Sequence, residues 1–220
     1  MELIINEYGA HIYPQNDAIG YINSACNDFS YKFYSGIYFL TGEIDCGAWS
    51  FAYSLLNEAT IGGILYKNIT LNGEAVDLEE IKKLSFHVGQ FKIYKKRIFD
   101  DVLRKALEKS KSDYTVEELI EKFELDRSYL DLEMRVLNMR RWGCSSAIGL
   151  ALNKKIFVFP WLSKYYFLSD VFFKVFRALS QEDVIVLVPC SEKIQIPAEE
   201  KFNVVRMNDL FKFDFEKIER

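Results

Sequence analysis

The sequence is poor in the residues that build several common kinds of site. Its 220 residues include only two histidines and four cysteines, and no two cysteines form a Cys-x-x-Cys pair. The sequence therefore predicts neither a zinc site nor a thiol–disulfide redox motif. It predicts that the cysteines are buried free thiols. Neither histidine, His11 or His87, has a nearby acidic or cysteine partner that would indicate a catalytic triad or a metal site.

Long apolar runs and an excess of positive charge are also missing. The longest apolar stretches, such as residues 156–162, are far shorter than the roughly 20 residues that a membrane-spanning helix needs. A formal net charge of -4 argues against a general electrostatic grip on nucleic acid or anionic lipid. Glu2 and Glu7 stand where a secretory signal carries positive charge. We expect a cytoplasmic protein that binds no nucleic acid and reaches a membrane only through a partner.

What the sequence does contain is the composition of a globular domain in which strands alternate with helices. Half of the residues are apolar and 27% are charged. Two β-rich runs surround Gly36, and a helical pattern follows. The later part alternates helical and buried-strand patterns, at residues 145–152, 156–159, 171–179 and 184–188. This alternation predicts an α/β fold with a mainly parallel sheet covered by helices.

The region between these two parts has a different pattern. Short β-prone runs at residues 64–66 and 69–71 end at an Asn-Gly turn signal, and residues 84–88 form another strand candidate. Between residues 92 and 141, charged residues interleave with leucines, and Thr115 and Glu118 have the spacing of a helix-starting capping box. We predict one domain over residues 1–220, with a β-rich N-terminal part and a helical subdomain inserted at residues 92–141.

A glycine-bearing loop joins the second predicted strand to the first predicted helix. Residues 42–50 read Gly-Glu-Ile-Asp-Cys-Gly-Ala-Trp-Ser. In order and spacing, residues 29–191 resemble the nucleotide-binding domain of ATP-binding-cassette (ABC) transporters, a P-loop NTPase. That family has the loop pattern Gly-x-Asn-Gly-x-Gly-Lys-Ser-Ser/Thr, whose backbone amides wrap the phosphates. Gly42 and Gly47 match its glycines.

The remaining positions of this loop depart from the family pattern. Asp45 replaces a glycine, Ala48 replaces the lysine, and Trp49 replaces the magnesium-binding serine. Ser50 stands at the last position. The carboxylate of Asp45 would face the phosphates, and the lost lysine removes a charged hydrogen bond, so the resemblance implies that ATP and magnesium bind weakly at most.

Two further motifs of the family map onto the middle of the chain. Gln90 lies where the lid-loop glutamine senses magnesium and the attacking water. The Leu-Ser-Gly-Gly-Gln signature, which binds the partner subunit's ATP, aligns with five residues that share none of its identities: Asn138, Met139, Arg140, Arg141 and Trp142. We interpret Arg140 and Arg141 as a solvated helix face, with contact to a partner's nucleotide as the alternative.

The last two motifs follow the buried strands. The Walker B strand of the family ends in Asp-Glu, which hold magnesium and polarise the nucleophile. Pro160 and Trp161 occupy these positions. The final strand leads to Pro-Cys-Ser at residues 189–191, where the family has its switch histidine. The sequence therefore predicts no catalytic residue and no metal ligand on a retained scaffold.

The resemblance implies a non-catalytic ABC ATPase-like subunit that pairs with an active ATPase or a membrane permease. Both a homodimer and a heterodimer are compatible with the resemblance. Its place would then be the cytoplasm, or the membrane periphery through a permease. One alternative is a free-standing binding, regulatory or immunity protein on the same scaffold. Another is an enzyme of altered activity involving Cys46 or Gln90. A third is an unrelated α/β protein in which Gly42 and Gly47 are only turn glycines.

Overall fold

Two five-stranded sheets organise the part of the chain that the computed structural model describes, which is residues 1–12, 24–42, 47–56, 60–89, 96–192, 194–197 and 200–207. The strands are β1 (Glu2–Ile12), β2 (Ser24–Tyr34), β3 (Gly36–Thr41), β4 (Thr60–Leu65), β5 (Asn68–Leu71), β6 (Glu74–Ala75), β7 (Ser85–His87), β8 (Ile156–Val158), β9 (Ile185–Cys190) and β10 (Asn203–Arg206). The helices are α1 (Ala48–Ser54), α2 (Leu78–Leu84), α3 (Phe99–Ser110), α4 (Val116–Lys122), α5 (Arg141–Ala151) and α6 (Asp170–Ser180).

The first sheet is antiparallel and the second is parallel. In the first, the order is β2-β1-β5-β6, and β4 also pairs with β1. In the second, the order is β10-β3-β9-β8-β7, and all four neighbouring pairs run parallel. The prediction of an α/β fold with a mainly parallel sheet and a β-rich N-terminal part is confirmed.

The parallel sheet is covered on both faces because successive side chains of a strand point to opposite sides. Phe39 of β3 packs in one apolar cluster with α3, α5 and α6. The next residue, Leu40, packs in a second cluster with α1, α2 and the antiparallel sheet. Strands buried on both faces have continuous apolar sequences, and the run at residues 156–159 has this pattern.

The helices α3 and α4 and three short 3-10 helices lie within residues 92–141, where the sequence predicts a helical insertion. Their apolar side chains, including Leu103 and Leu119, belong to the same cluster as Phe157 of β8. A half-buried hydrogen bond also joins the insertion to the rest of the domain, where the Tyr114 hydroxyl donates to Glu182 (2.6 Å). That this segment is a separate subdomain remains a prediction.

The capping box predicted at Thr115 begins α4. Its hydroxyl accepts from the Glu118 backbone N–H (3.2 Å), and the Glu118 carboxylate accepts from the Thr115 N–H (2.7 Å), which lowers the pKa of Glu118. We expect Thr115→Ala to lower the free energy of unfolding by about 1 kcal/mol, because one donor at the helix start loses its acceptor. Urea denaturation would show a lower midpoint with an unchanged slope.

Thr115→Ser is the matched control for this substitution, since serine keeps the hydroxyl. We expect it to stay within about 0.5 kcal/mol of the wild type. Equal losses for alanine and serine would show that packing of the threonine methyl group, rather than the cap, carries the effect.

No helix among the described residues is both long enough and apolar enough to cross a membrane.

Candidate functional site

The topology of the parallel sheet has a switch point at the carboxyl ends of β3 and β9. These strands are neighbours, but the chain leaves them toward opposite faces. After β3 it enters α1, which packs in the cluster with the antiparallel sheet. After β9, Ile194, Ile196 and Phe202 pack against the cluster on the helical face. Ligands of open α/β sheets bind at such a switch point, and the predicted phosphate loop follows β3 at this edge.

The two loop glycines retained from the family pattern have clear backbone roles. Gly42 donates its N–H to the Cys190 carbonyl (3.1 Å), which continues the pairing of β3 with β9. Gly47 has a φ of 88° and precedes α1 without a side-chain cap. A positive φ of this size favours glycine on steric grounds alone. Asp45 and Cys46 lie outside the described residues, so the predictions for them remain untested.

The residues that the sequence aligns with the P-loop lysine and serine are buried in this chain. Ala48 and Ser50 are fully covered, and Trp49 is only 1% exposed. The Trp49 ring stacks on Tyr53, one helical turn later, with 4.9 Å between ring centroids and an angle of 17°. The Ser50 hydroxyl donates to the Gly47 carbonyl (3.3 Å). The first turn of α1 is therefore buried, and it carries no cationic side chain.

Trp161, which the sequence aligns with the Walker B motif, lies beside α1. Trp161, which follows β8, packs against Trp49 and Tyr53, and we call these three residues the aromatic cluster. The ring of His87, at the end of β7, meets Tyr53 edge-on with 4.8 Å between centroids. The indole N–H groups of Trp49 and Trp161 are both buried without a hydrogen-bond partner. Trp49 and Trp161, which the sequence aligns with the magnesium-binding serine and the Walker B glutamate of the family, are thus brought together here as aromatic rings.

Backbone pairing closes the edge of the sheet beside the aromatic cluster. Leu162 donates its N–H to the Pro189 carbonyl (2.8 Å), and Ser191 donates to the Leu162 carbonyl (3.1 Å). Pro189 and Cys190, near the switch-histidine position, are part of β9. Within the described part of the chain, no group of three or more His, Cys, Asp or Glu side chains could hold a metal ion.

The five residues aligned with the family signature lie at the start of α5. Residues 138–140 are exposed, Arg141 is half-buried and Trp142 is buried. Asn138 begins a 3-10 turn with a φ of 45°, and Met139 is 41% exposed. Arg140 is exposed, with its guanidinium 4.7 Å from the Tyr129 ring centroid. This agrees with a solvated face. Arg141 corrects that interpretation, because it is half-buried, lies over the Trp142 ring (4.4 Å), and its Nε is buried without a partner.

Trp142 connects the signature position to the loop after β7. It is 2% exposed and stacks near Phe159 and Phe172. Gly89 has a φ of 83°, and a Cβ on it would clash with the Trp142 indole. The Gly89 N–H donates to Ser145 of α5 (2.8 Å). The next residue, the predicted lid glutamine Gln90, lies outside the described residues.

The cysteines among the described residues are buried, and none of them is indicated as a nucleophile. Cys26, Cys144 and Cys190 are buried free thiols, as predicted. Burial raises the pKa of Cys26 and of Cys144 to about 12, so both stay protonated at neutral pH. A thiolate nucleophile is therefore not available at either position.

Comparison with known proteins finds likeness in structure only. No protein-family model matches the chain, and no curated protein sequence matches it. An ABC transporter ATP-binding protein from Pyrococcus furiosus superposes with a TM-score of 0.63 at 14% identity, over 96% of this chain and 100% of that one. The cobalt transport ATP-binding protein cbiO-2 gives 0.57 at 12% identity, over 93% of this chain and 76% of that one. The third is cbiO1 from Clostridium perfringens, part of the ABC transporter complex cbiONQ, with 0.58 at 10% identity, over 86% and 78%.

The chain has the fold of an ABC transporter ATP-binding protein. This confirms the predicted P-loop NTPase-like core. Identities of 10–14% establish the fold and leave the activity open. The family resemblance drawn from strand order and spacing therefore holds at the level of architecture.

Sequence reasoning missed two residues of this site, Tyr53 and His87, which contact each other beside the aromatic cluster. Tyr53 lies four positions after Trp49 on α1, a spacing that places both on one helix face, and this signal was present in the sequence. The contact of Trp161 with them depends on the packing of β8 beside β9 and had no local signal.

Proposed function

We propose that this chain is a non-catalytic ABC-type subunit that pairs with an active ABC ATPase or with a membrane permease. The observation that carries the proposal is the aromatic cluster. Two of its residues, Trp49 and Trp161, are those that the sequence aligns with the magnesium-binding serine and the Walker B glutamate, within a fold that superposes on an ABC ATP-binding protein. The subunit would contribute shape and contact surface to a transporter, and its partner would supply the hydrolysis.

The chemistry of hydrolysis supports this reading. Phosphoryl transfer to water needs bound magnesium, a cation at the phosphates and a carboxylate or glutamine that orients the water. Ala48 and Trp49 offer no cation and no hydroxyl, and Pro160 and Trp161 offer no carboxylate. Gln90 could orient a water, but it cannot replace the cation or the magnesium ligands. To admit magnesium, Trp49 would have to leave a buried site, which costs about 3–5 kcal/mol by analogy with the removal of buried tryptophans.

The retained shape supports the choice of partner. The fold superposes on an ABC transporter ATP-binding protein over 96% of this chain and 100% of that one, so the surfaces of such a domain are available for the same kind of contacts. One of the similar structures, cbiO1, is described as part of an ABC transporter complex. A partner that recognises this fold is therefore an ABC ATPase subunit or a permease.

Capture of the tagged chain from detergent-solubilised native cells tests the proposal. We expect an intact ABC ATPase or a multispanning permease to co-purify and to be identified by mass spectrometry, in amounts near one per chain. A tag-only strain is the control for adhesion to the resin. Recovery of the chain alone, or only with soluble proteins, would contradict the proposal and favour the free-standing binding or regulatory protein.

A further inference from the structure

A second concave site lies at the carboxyl edge of the parallel sheet. A cavity of about 260 Å³ opens beside the 3-10 helix Lys164–Leu168, which connects β8 to α6. Among the described residues it is lined by Lys164, Tyr165, Phe167, Leu168 and Gln195, and we call it the 164–168 pocket. It shares no lining residue with the aromatic cluster. Gln195 follows β9, so the pocket is formed by segments that leave two adjacent strands.

The floor of the pocket packs on the core, and its rim carries two large exposed apolar side chains. Phe167 is 7% exposed and its ring meets Phe39 (5.6 Å between centroids) and Phe172 (6.2 Å), so the core holds it in place. Tyr165 and Leu168, in contrast, are 69% and 80% exposed. Large apolar side chains exposed together beside a cavity are a feature of binding sites.

One positive charge at this rim, that of Lys164, has no counter-ion among the described residues. The Lys164 ammonium is 5.3 Å from the centroid of the Tyr165 ring. It makes no ion pair within the described ranges, although Lys174 and Arg177 of the following helix are both paired with carboxylates. The amide of Gln195 adds a neutral donor and acceptor at the same pocket. An aromatic floor with one unpaired ammonium is complementary to an apolar group that carries one carboxylate.

We propose that the 164–168 pocket binds a small aromatic carboxylate. Its ring would stack on Phe167 and Tyr165 against Leu168, and its carboxylate would accept hydrogen bonds from Lys164 and Gln195. The size fits this class, because an apolar cavity of about 150 Å³ accommodates benzene and about 260 Å³ leaves room for a ring and a carboxylate. The site is independent of the proposed subunit role and is separate from the nucleotide position.

Ligand-observed NMR with phenylacetate as the probe tests this inference. We expect saturable binding at one site, and at least tenfold weaker binding of phenylacetamide, which keeps the ring and the size but has no charge. Lys164→Met removes the ammonium and keeps an apolar chain, so we expect it to weaken phenylacetate binding about tenfold while leaving phenylacetamide binding nearly unchanged.

The matched control is Lys105→Met, an equal loss of charge on the exposed face of α3, which should leave phenylacetate binding at the wild-type level. Leu168→Ala gives a second variant that removes rim packing at an exposed position, so folding is not at risk. It should weaken both probes alike. Equal binding of the two probes to the wild type, or wild-type affinity for phenylacetate in Lys164→Met, would overturn the proposal.

Discussion

Replacing Trp142 with alanine is expected to lower the free energy of unfolding by about 3–5 kcal/mol, the usual cost of deleting a buried tryptophan. The side chain is almost fully buried and fills the space between Gly89, Phe159 and Phe172. Its Nε1 has no hydrogen-bond partner, so the loss arises from packing and from the cavity left behind. Chemical denaturation, with the slope fitted as a free parameter, would measure this change in the free energy of unfolding.

Two substitutions separate packing from other causes. Met139→Ala, three residues earlier and well exposed, should change stability by no more than about 0.5 kcal/mol. Trp142→Phe keeps an apolar ring and removes the unpartnered buried N–H, whose penalty is about 1–3 kcal/mol. It should therefore cost much less than alanine. A loss below about 1 kcal/mol for Trp142→Ala would contradict the packing described here.

The parallel core was predictable because its signals are local. Apolar runs at residues 156–159 and 184–188 and the helical pattern after Gly47 each depend on neighbours in sequence. The helix α2 has a local signal of the same kind, because Asp77 and Glu80 form a capping box like that of Thr115 and Glu118. This spacing would have predicted the start of α2. The strand β10 is short, at the sheet edge and mostly exposed, so it carries little apolar pattern.

The strand and helix that border the candidate site were predictable, and the side-chain contacts between them were not. Order and spacing put Trp49 and Trp161 at two motif positions, but only the folded chain shows that both rings pack into one cluster with Tyr53. Such contacts are set by the pairing of β3, β9 and β8, far apart in sequence. Arg141 lies over the ring of the adjacent Trp142, and the pair of consecutive arginines gave no signal of its half-burial.

ATP is expected to give almost no stabilisation of this chain. A ligand at 1 mM with a dissociation constant near 1 mM contributes about 0.4 kcal/mol, whereas a micromolar ligand contributes about 4 kcal/mol. For a domain of this size, these values shift the melting temperature by about 1–2 °C and about 8–16 °C, respectively. Thermal denaturation in 1 mM ATP with magnesium distinguishes them, with magnesium alone as the reference and an active ABC ATPase as the positive control.

The expectation of the smaller shift follows from what surrounds the phosphate position. Losing the lysine at Ala48 removes a charged hydrogen bond of about 1.5–3 kcal/mol, and the buried Trp49 stands where the magnesium-binding hydroxyl is expected. Since about 4 kcal/mol separates micromolar from millimolar affinity, these two changes account for most of the difference. A shift above about 5 °C that requires both ATP and magnesium would mean that Trp49 and Trp161 move apart to admit the nucleotide. The aromatic cluster would then be a gate over a working site, and the proposal of a non-catalytic subunit would fail.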